Sequence, residues 1–367
     1  MIPVNEPLFG IREKELLTQC IDTGWVSSEG PFVKQFEESM SSYIGVEYGI
    51  AVCNGTAALE TALYAAGIEK GDEVIMPTFT IISCAIAVLR LGAIPVLVDI
   101  GPDTWNMDVT QIEAKITKRT RAIMPVHIYG HPVDMDPVLE IAKKYNLTVV
   151  EDAAEVHGAE YKGKKAGSIG HIAIFSFYAN KIINTGEGGM VVTNNRVMDE
   201  RARSYRNLCF KTSRRFYHTE MGYNFRMTNL QAAIGVAQME RIEESVSFKR
   251  RMGDYYRERL SRIPGLRFPL ESPWAKTVYW MYAIELDGSS GIQAVEMMEK
   301  LRSHGIGSRP FFLGLHEQPV FHDRGLFVGE QYPIAERASR YGLYLPSGMT
   351  LTKSQVDVVC DTLKTLI

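Results

Sequence analysis

The chain has 367 residues, 46% hydrophobic and 23% charged, and its 40 Lys+Arg against 43 Asp+Glu leave a net charge of −3. This length allows two or three domains, or one large α/β domain with an appendage, and the composition excludes a disordered, collagen-like or coiled-coil chain. So balanced a charge offers no global field to nucleic acid or an anionic membrane.

In chain order, short apolar runs at residues 48–53, 73–76, 95–98, 122–127, 148–151, 172–177 and 190–193 predict strands covered on both faces. Between them, residues 56–66, 81–91, 109–116 and 137–145 carry helical patterns. Alternation at this spacing predicts an α/β fold with seven strands in one large, mostly parallel, doubly wound sheet. Thr228-Asn229-Leu230-Gln231 has the form of a capping box and opens a helical stretch to about residue 260. Pro264-Gly265 breaks it; a strand at 279–286, a helix around 292–304 and a last helix from Ser354 follow. The expected division is a large domain at 1–245 and a smaller C-terminal α+β domain at 246–367.

Cys20, Cys53, Cys84, Cys209 and Cys360 are scattered and form no C-x-x-C pair, which argues against a disulfide framework or zinc knuckle and fits a reducing cytoplasm. The opening MIPVNEPLFG has neither the basic nor the apolar region of a signal peptide. The longest uncharged run, residues 74–89, is broken by Pro77 and falls short of the ~20 residues of a membrane span.

In open parallel sheets, ligands collect beyond the carboxyl ends of the strands. Three groups of polar residues stand there. Asn54-Gly55-Thr56 opens a helix, where free N–H groups and the helix dipole favour a phosphate; the same residues serve equally as a plain cap. Glu151-Asp152-Ala153-Ala154-Glu155-Val156-His157 puts an acidic pair at a buried strand end, costly without a partner such as a positively charged heterocycle nitrogen; a helix cap is the other reading. No ligand pair of H-x-x-x-H type supports a metal there. Lys181 follows an apolar-aromatic stretch and precedes a Gly-rich loop, so desolvation would free its amine for Schiff-base chemistry, whereas a surface lysine is the commoner case. An anion cradle, a carboxylate and a lysine at one sheet edge are what pyridoxal phosphate (PLP) requires, with Ser176 as a further phosphate ligand. A Ser-His-Asp hydrolase would need a G-x-S-x-G elbow, which is missing.

The motifs GWVSSEGPFVKQFE, NGTAAL, GDEVIMPTFT, EDAAEVHGA, FSFYANKIINTGEGGM, GYNFRMTNLQAAIG and SRPFFLGLH resemble, almost end to end, the DegT/DnrJ/EryC1/StrS sugar aminotransferases of PLP fold type I. The resemblance implies that Lys181 is the Schiff-base lysine and proton shuttle and that Asp152 binds the pyridine nitrogen. It implies that Glu155 lies near the ring hydroxyl and that Gly55, Thr56, Ala57 and Ser176 cradle the phosphate. Asn224 is implied to reach the phosphate of the partner subunit, and hence a homodimer with shared sites. Arg226, Arg309 and His316 fall in segments bordering the sugar site, and Trp25 is a candidate for stacking on base or sugar. Where the family stacks an aromatic on the cofactor ring this chain has Ile81, and relatives commonly have Asn at the position of Ile86.

The implied reaction moves the amino group of L-glutamate, through pyridoxamine phosphate, to a nucleotide-linked 4-keto-6-deoxy sugar for surface polysaccharide. GDP-4-keto-6-deoxy-D-mannose is the nearest substrate by resemblance. The alternatives are a UDP- or dTDP-linked keto sugar aminated at C3 or C4, a small keto phosphate, or a PLP-binding regulator without catalysis. Arg196, Arg201, Arg203, Arg206, Lys211, Arg214 and Arg215 form a candidate patch for the nucleotide's charges, or a solvated face balanced by Asp199 and Glu200. His127 and His157 read either as cofactor-orienting or as core histidines.

Overall fold

The computed structural model describes residues 1–211, 214, 216–289 and 291–367. All seven expected strands join one sheet, in the order Tyr48–Val52, Gly189–Thr193, Ile172–Ser176, Thr148–Asp152, Thr120–Ile123, Glu73–Pro77, Ile94–Val98. Gly189–Thr193 runs antiparallel to both its neighbours, and the five strands from Ile172–Ser176 to Ile94–Val98 pair in parallel with one another. Every residue of Ile172–Ser176 and Gly189–Thr193 is buried, which explains apolar runs without alternation. Helix Gly55–Ala65 packs on these two strands and so brings its N-terminus to their ends.

Two helical expectations change. Residues 109–116 form two 3₁₀ turns, Val109–Gln111 and Glu113–Lys115, rather than one helix. The Asp108 side chain accepts from Thr110 N and Gln111 Nε2 and fixes a tight turn that β-branched Val109 and Thr110 do not extend. The stretch from Thr228 is two helices, Asn229–Met239 and Ile242–Leu260, with the capping box in place. At the break, Arg241 donates to Glu13 and Leu8 O, and Glu240 pairs with Arg12, so the first helix, Ile11–Thr23, takes up both side chains.

Tyr282–Leu286 is the centre of a second, antiparallel sheet ordered Leu266–Arg267, Tyr282–Leu286, Gly342–Leu345, Arg309–Pro310. Helices Ala294–Ser303 and Lys353–Leu366 close a separate core with Tyr256, Leu260, Ile284, Leu301, Leu345 and Val359. Helix Ile242–Leu260 runs unbroken across residue 245, with Ile242 and Val246 in the main core and Met252, Tyr256 and Leu260 in the second. Ile2 bridges Ile306, so the N-terminus is held against the turn between helix Ala294–Ser303 and strand Arg309–Pro310.

Candidate active site

A cavity of about 480 Å³ opens at the carboxyl ends of the central strands, lined by Asn54, Gly55, Thr56, Thr80, Ile81, Asp152, Glu155, Ser176 and Lys181 among others. The three signals read from sequence therefore meet in one place.

The cap and cradle readings of Asn54-Gly55-Thr56 both hold. Asn54 Oδ1 accepts from Ala57 N at 2.9 Å, a cap worth about 1 kcal/mol. This occupies the Ala57 amide, and Ala57 is buried off the cavity wall; beside Asn54, Gly55 and Thr56 face the cavity. Their N–H groups, first in the helix, have no intrahelical partner. A Cβ on Gly55 would lie 3.0 Å from Ser176 Cβ and 3.1 Å from Ser176 Oγ, so glycine lets the helix start abut the serine and form a small concave donor cluster.

The acidic pair divides between two faces, as alternation along a strand requires. Glu151 is fully buried away from the cavity and accepts from His127 Nε2 (3.0 Å), Gly167 N (2.9 Å), Ile169 N (2.8 Å) and Gly170 N. Against the desolvation that raises it, these donors hold its carboxyl below the ordinary range. His127 is a core histidine: its Nδ1 accepts from Val133 N at 2.9 Å, so Nε2 carries the proton that Glu151 receives.

Asp152 faces the cavity. Its Oδ1 accepts from Ala154 N (3.0 Å), and its Oδ2 from the thiol of Cys84 (3.1 Å), which lies 3.3 Å from Thr80 Oγ1. Desolvation raises the Asp152 pKa despite these donors and the charge of Lys181. A cationic N–H would relieve that cost. Lys181 Nζ sits 3.8 Å from Glu155 Oε1, and burial lowers the lysine while raising the carboxyl. Glu155 also accepts from Tyr129 N at 2.8 Å. His157 is wholly buried between Phe175 and Phe177, and desolvation depresses its pKa to about 3, so its ring is neutral.

Other candidates lie elsewhere. His316 does not line the cavity: it is buried, with Nδ1 2.7 Å from Thr78 Oγ1 and Nε2 3.4 Å from Glu336, and fastens its segment to the large sheet. Its neighbour Phe312 is the residue that reaches the cavity. Arg309 is exposed and pairs in register with Tyr344, a cavity residue. Arg226 donates to Asn207 Oδ1 at 2.5 Å, and Trp25 is half exposed; neither lines the cavity, nor does Asn224, which bridges Asn207.

Of the two readings of the basic stretch, the face balanced by acids holds for most of it. Arg196 pairs with Glu200, Arg203 with Asp199 and Glu37, Arg206 with Glu37, and Lys211 with Glu220. Arg201 donates to Tyr64 O and Arg214 lies over Tyr217, while Arg215 lies outside the described residues. Residues the sequence did not single out complete the wall: Thr80, Ser83, Tyr178, Asn180, Trp280, Phe312 and Tyr344. Among the described residues, no group of three His, Cys, Asp or Glu side chains is placed to hold a metal, and no helix is long and apolar enough to cross a membrane.

The residues present fit PLP. Gly55, Thr56 and Ser176 would hold its phosphate, Asp152 its ring nitrogen, and Lys181 its aldehyde carbon. Fold and site together define a PLP-dependent aminotransferase of fold type I. The chain matches the DegT/DnrJ/EryC1/StrS aminotransferase family over residues 9–364 and belongs to it. It is 43% identical to the GDP-perosamine synthase of Caulobacter vibrioides, covering 99% of this chain and 97% of that one. It is 41% identical to the enzyme of the same name from Escherichia coli O157:H7, with the same coverage. The PLP form of Spr1654 from Streptococcus pneumoniae is 26% identical, with a TM-score of 0.92 over 100% of this chain and 98% of that one. The protein is a PLP-dependent sugar aminotransferase.

Proposed function

We propose that this enzyme moves the amino group of L-glutamate to C4 of a nucleotide-linked 4-keto-6-deoxy sugar, GDP-4-keto-6-deoxy-D-mannose first, giving GDP-perosamine for surface polysaccharide. The observation that carries the chemistry is the convergence of the Gly55–Thr56 helix start, Ser176, Asp152 and Lys181 on one cavity. The likeness to two GDP-perosamine synthases at over 40% identity supports the substrate.

When bound, the cofactor supplies a protonated pyridine ring that takes up the electron pair left as the donor's α-proton departs. Asp152 keeps the proton on the ring nitrogen. Lys181 Nζ takes the α-proton and, in the second half of the cycle, delivers a proton to the sugar carbon that gains nitrogen. Desolvation of the amine favours its neutral, proton-accepting form, and Glu155 beside it limits that shift. One cavity serves both substrates in turn, so the kinetics are ping-pong.

We further propose a homodimer working in the cytoplasm. Trp25, Phe216, Met221 and Tyr223 are apolar side chains about half exposed or more in the single subunit, as residues covered by a second copy would be. All five cysteines are free, as a reducing compartment requires. Mixing Lys181→Ala with Asn224→Ala protein should restore activity if sites are shared between subunits.

The deciding assay is incubation with glutamate and GDP-, UDP- and dTDP-linked 4-keto-6-deoxy sugars, read by mass spectrometry. A one-nitrogen product from the GDP sugar alone supports the proposal. A product only from another nucleotide, or none with any sugar, overturns it.

A further inference from the structure

Lys181 Nζ lies 3.6 Å above the ring centroid of Trp280, a contact between the two halves of the molecule. The lysine follows strand Ile172–Ser176 of the large sheet, and the tryptophan enters strand Tyr282–Leu286 of the second sheet. The indole is held from several sides. Its Nε1–H donates to Asn180 O at 2.8 Å, one residue before the lysine, and Asn5 Nδ2 donates to the same oxygen at 3.2 Å. Tyr129 stacks beneath it at 6.3 Å and 24°, and Phe312 stacks on Tyr129 at 5.7 Å and 11°.

The backbone around it adopts conformations that side chains rarely tolerate. Tyr129 (φ 52°) and Tyr279 (φ 46°) are both left-handed. Gly130 has φ +103°, and a Cβ there would meet Tyr279 N and Trp280 N at 2.7 Å. Strain of this kind persists only where the surroundings over-determine it, and it clusters at functional sites.

We propose that Trp280 is a positioning residue for Lys181: its indole face is where the amine rests once it has taken up a proton, so that proton delivery starts from one fixed point. The attraction is that of a cation for the ring's negative face, strongest for indole and strengthened by exclusion of water. The other charged or titratable groups acting on this amine are Glu155, Asp152 and Cys84, with His157 beside it. The proposal rests on Lys181 being the cofactor's lysine.

The test replaces Trp280 in the full chain, site-specifically, by mono-, di- and tetrafluorotryptophan, which weakens the ring's negative face with little change in size. Acetylation of Lys181 in the apoprotein is followed by peptide mass spectrometry across pH. The midpoint should fall stepwise with fluorination, by about one unit in all. Trp280→Leu should slow the glutamate half-reaction about tenfold at nearly unchanged KM, with Trp280→Phe in between. A midpoint indifferent to fluorine, with PLP still protecting Lys181 from acetylation, overturns the role of Trp280 alone. Failure of PLP to protect Lys181 removes the lysine assignment beneath it.

Discussion

Glu151 and Asp152 are adjacent acids that the fold assigns to opposite tasks, and substitution should separate them. Each oxygen of Glu151 faces two donors: Oε1 those of Ile169 and Gly170, Oε2 those of Gly167 and His127. In Glu151→Gln the amide nitrogen replaces one oxygen in either orientation, so two buried donors meet a donor. His127 cannot switch tautomer to help, because its Nδ1 already accepts from Val133 N. At about 1–3 kcal/mol for each unsatisfied group, the loss is about 2–6 kcal/mol. That brackets the ~3–5 kcal/mol typical of a broken buried pair and, at about 2.1 cal/mol/K of unfolding entropy per residue over 367 residues, corresponds to a fall in Tm of roughly 3–8 °C. The assay is thermal unfolding of the full chain followed by circular dichroism.

The pH dependence has a definite sign. The Glu151 carboxyl is depressed below its ordinary 4.5, so its stabilisation is complete above that value and fades as pH falls through the lower folded value. The gap between wild type and Glu151→Gln should therefore persist at neutral pH and close only in acid. Asp152→Asn should do the reverse. It should leave Tm nearly unchanged and weaken PLP retention about 10- to 100-fold, the worth of one hydrogen bond to a charged group. A Glu151→Gln protein melting within a degree of wild type, or an Asp152→Asn protein that melts early yet keeps its PLP, would refute the reasoning.

Gly55→Ala pushes a methyl to 3.0 Å from Ser176 Cβ, and should cost about 1–3 kcal/mol of strain and lower PLP affinity, read by equilibrium dialysis. Cys84→Ala removes the donor to Asp152 Oδ2 and should weaken PLP retention about tenfold, with Cys84→Ser restoring it. Lys249 is buried, donates to Ser347 O, and is pushed by desolvation from 10.5 down to about 7. The unfolded chain therefore binds the extra proton between these values, and wild type should gain stability over Lys249→Met as pH rises from about 7 to 10.5 in matched unfolding curves.

The seven strands, the Asn54 cap, the Thr228 capping box and the trio of cradle, carboxylate and lysine were legible because each is local: an apolar period, a cap, a polar residue at a strand end. The division of labour between Glu151 and Asp152 was not legible, since it depends on which face carries the cavity and on amides fifteen or more residues away. Trp280, just before strand Tyr282–Leu286, and Tyr344, within Gly342–Leu345, stand in apolar stretches with no polar signature, and only the docking of the second sheet makes them walls of the site. His316 looks like a substrate ligand until folding hands it Thr78 and Glu336, and the basic residues between 196 and 211, which read either way beside Asp199 and Glu200, gain Glu37 and Glu220 only from distant segments. The order of residues along the chain determines what each stretch becomes and which chemical groups end its strands. Which charges remain free, and which aromatic meets the lysine, is decided only when distant segments pack, because desolvation and hydrogen-bond pairing belong to a neighbourhood rather than to a residue.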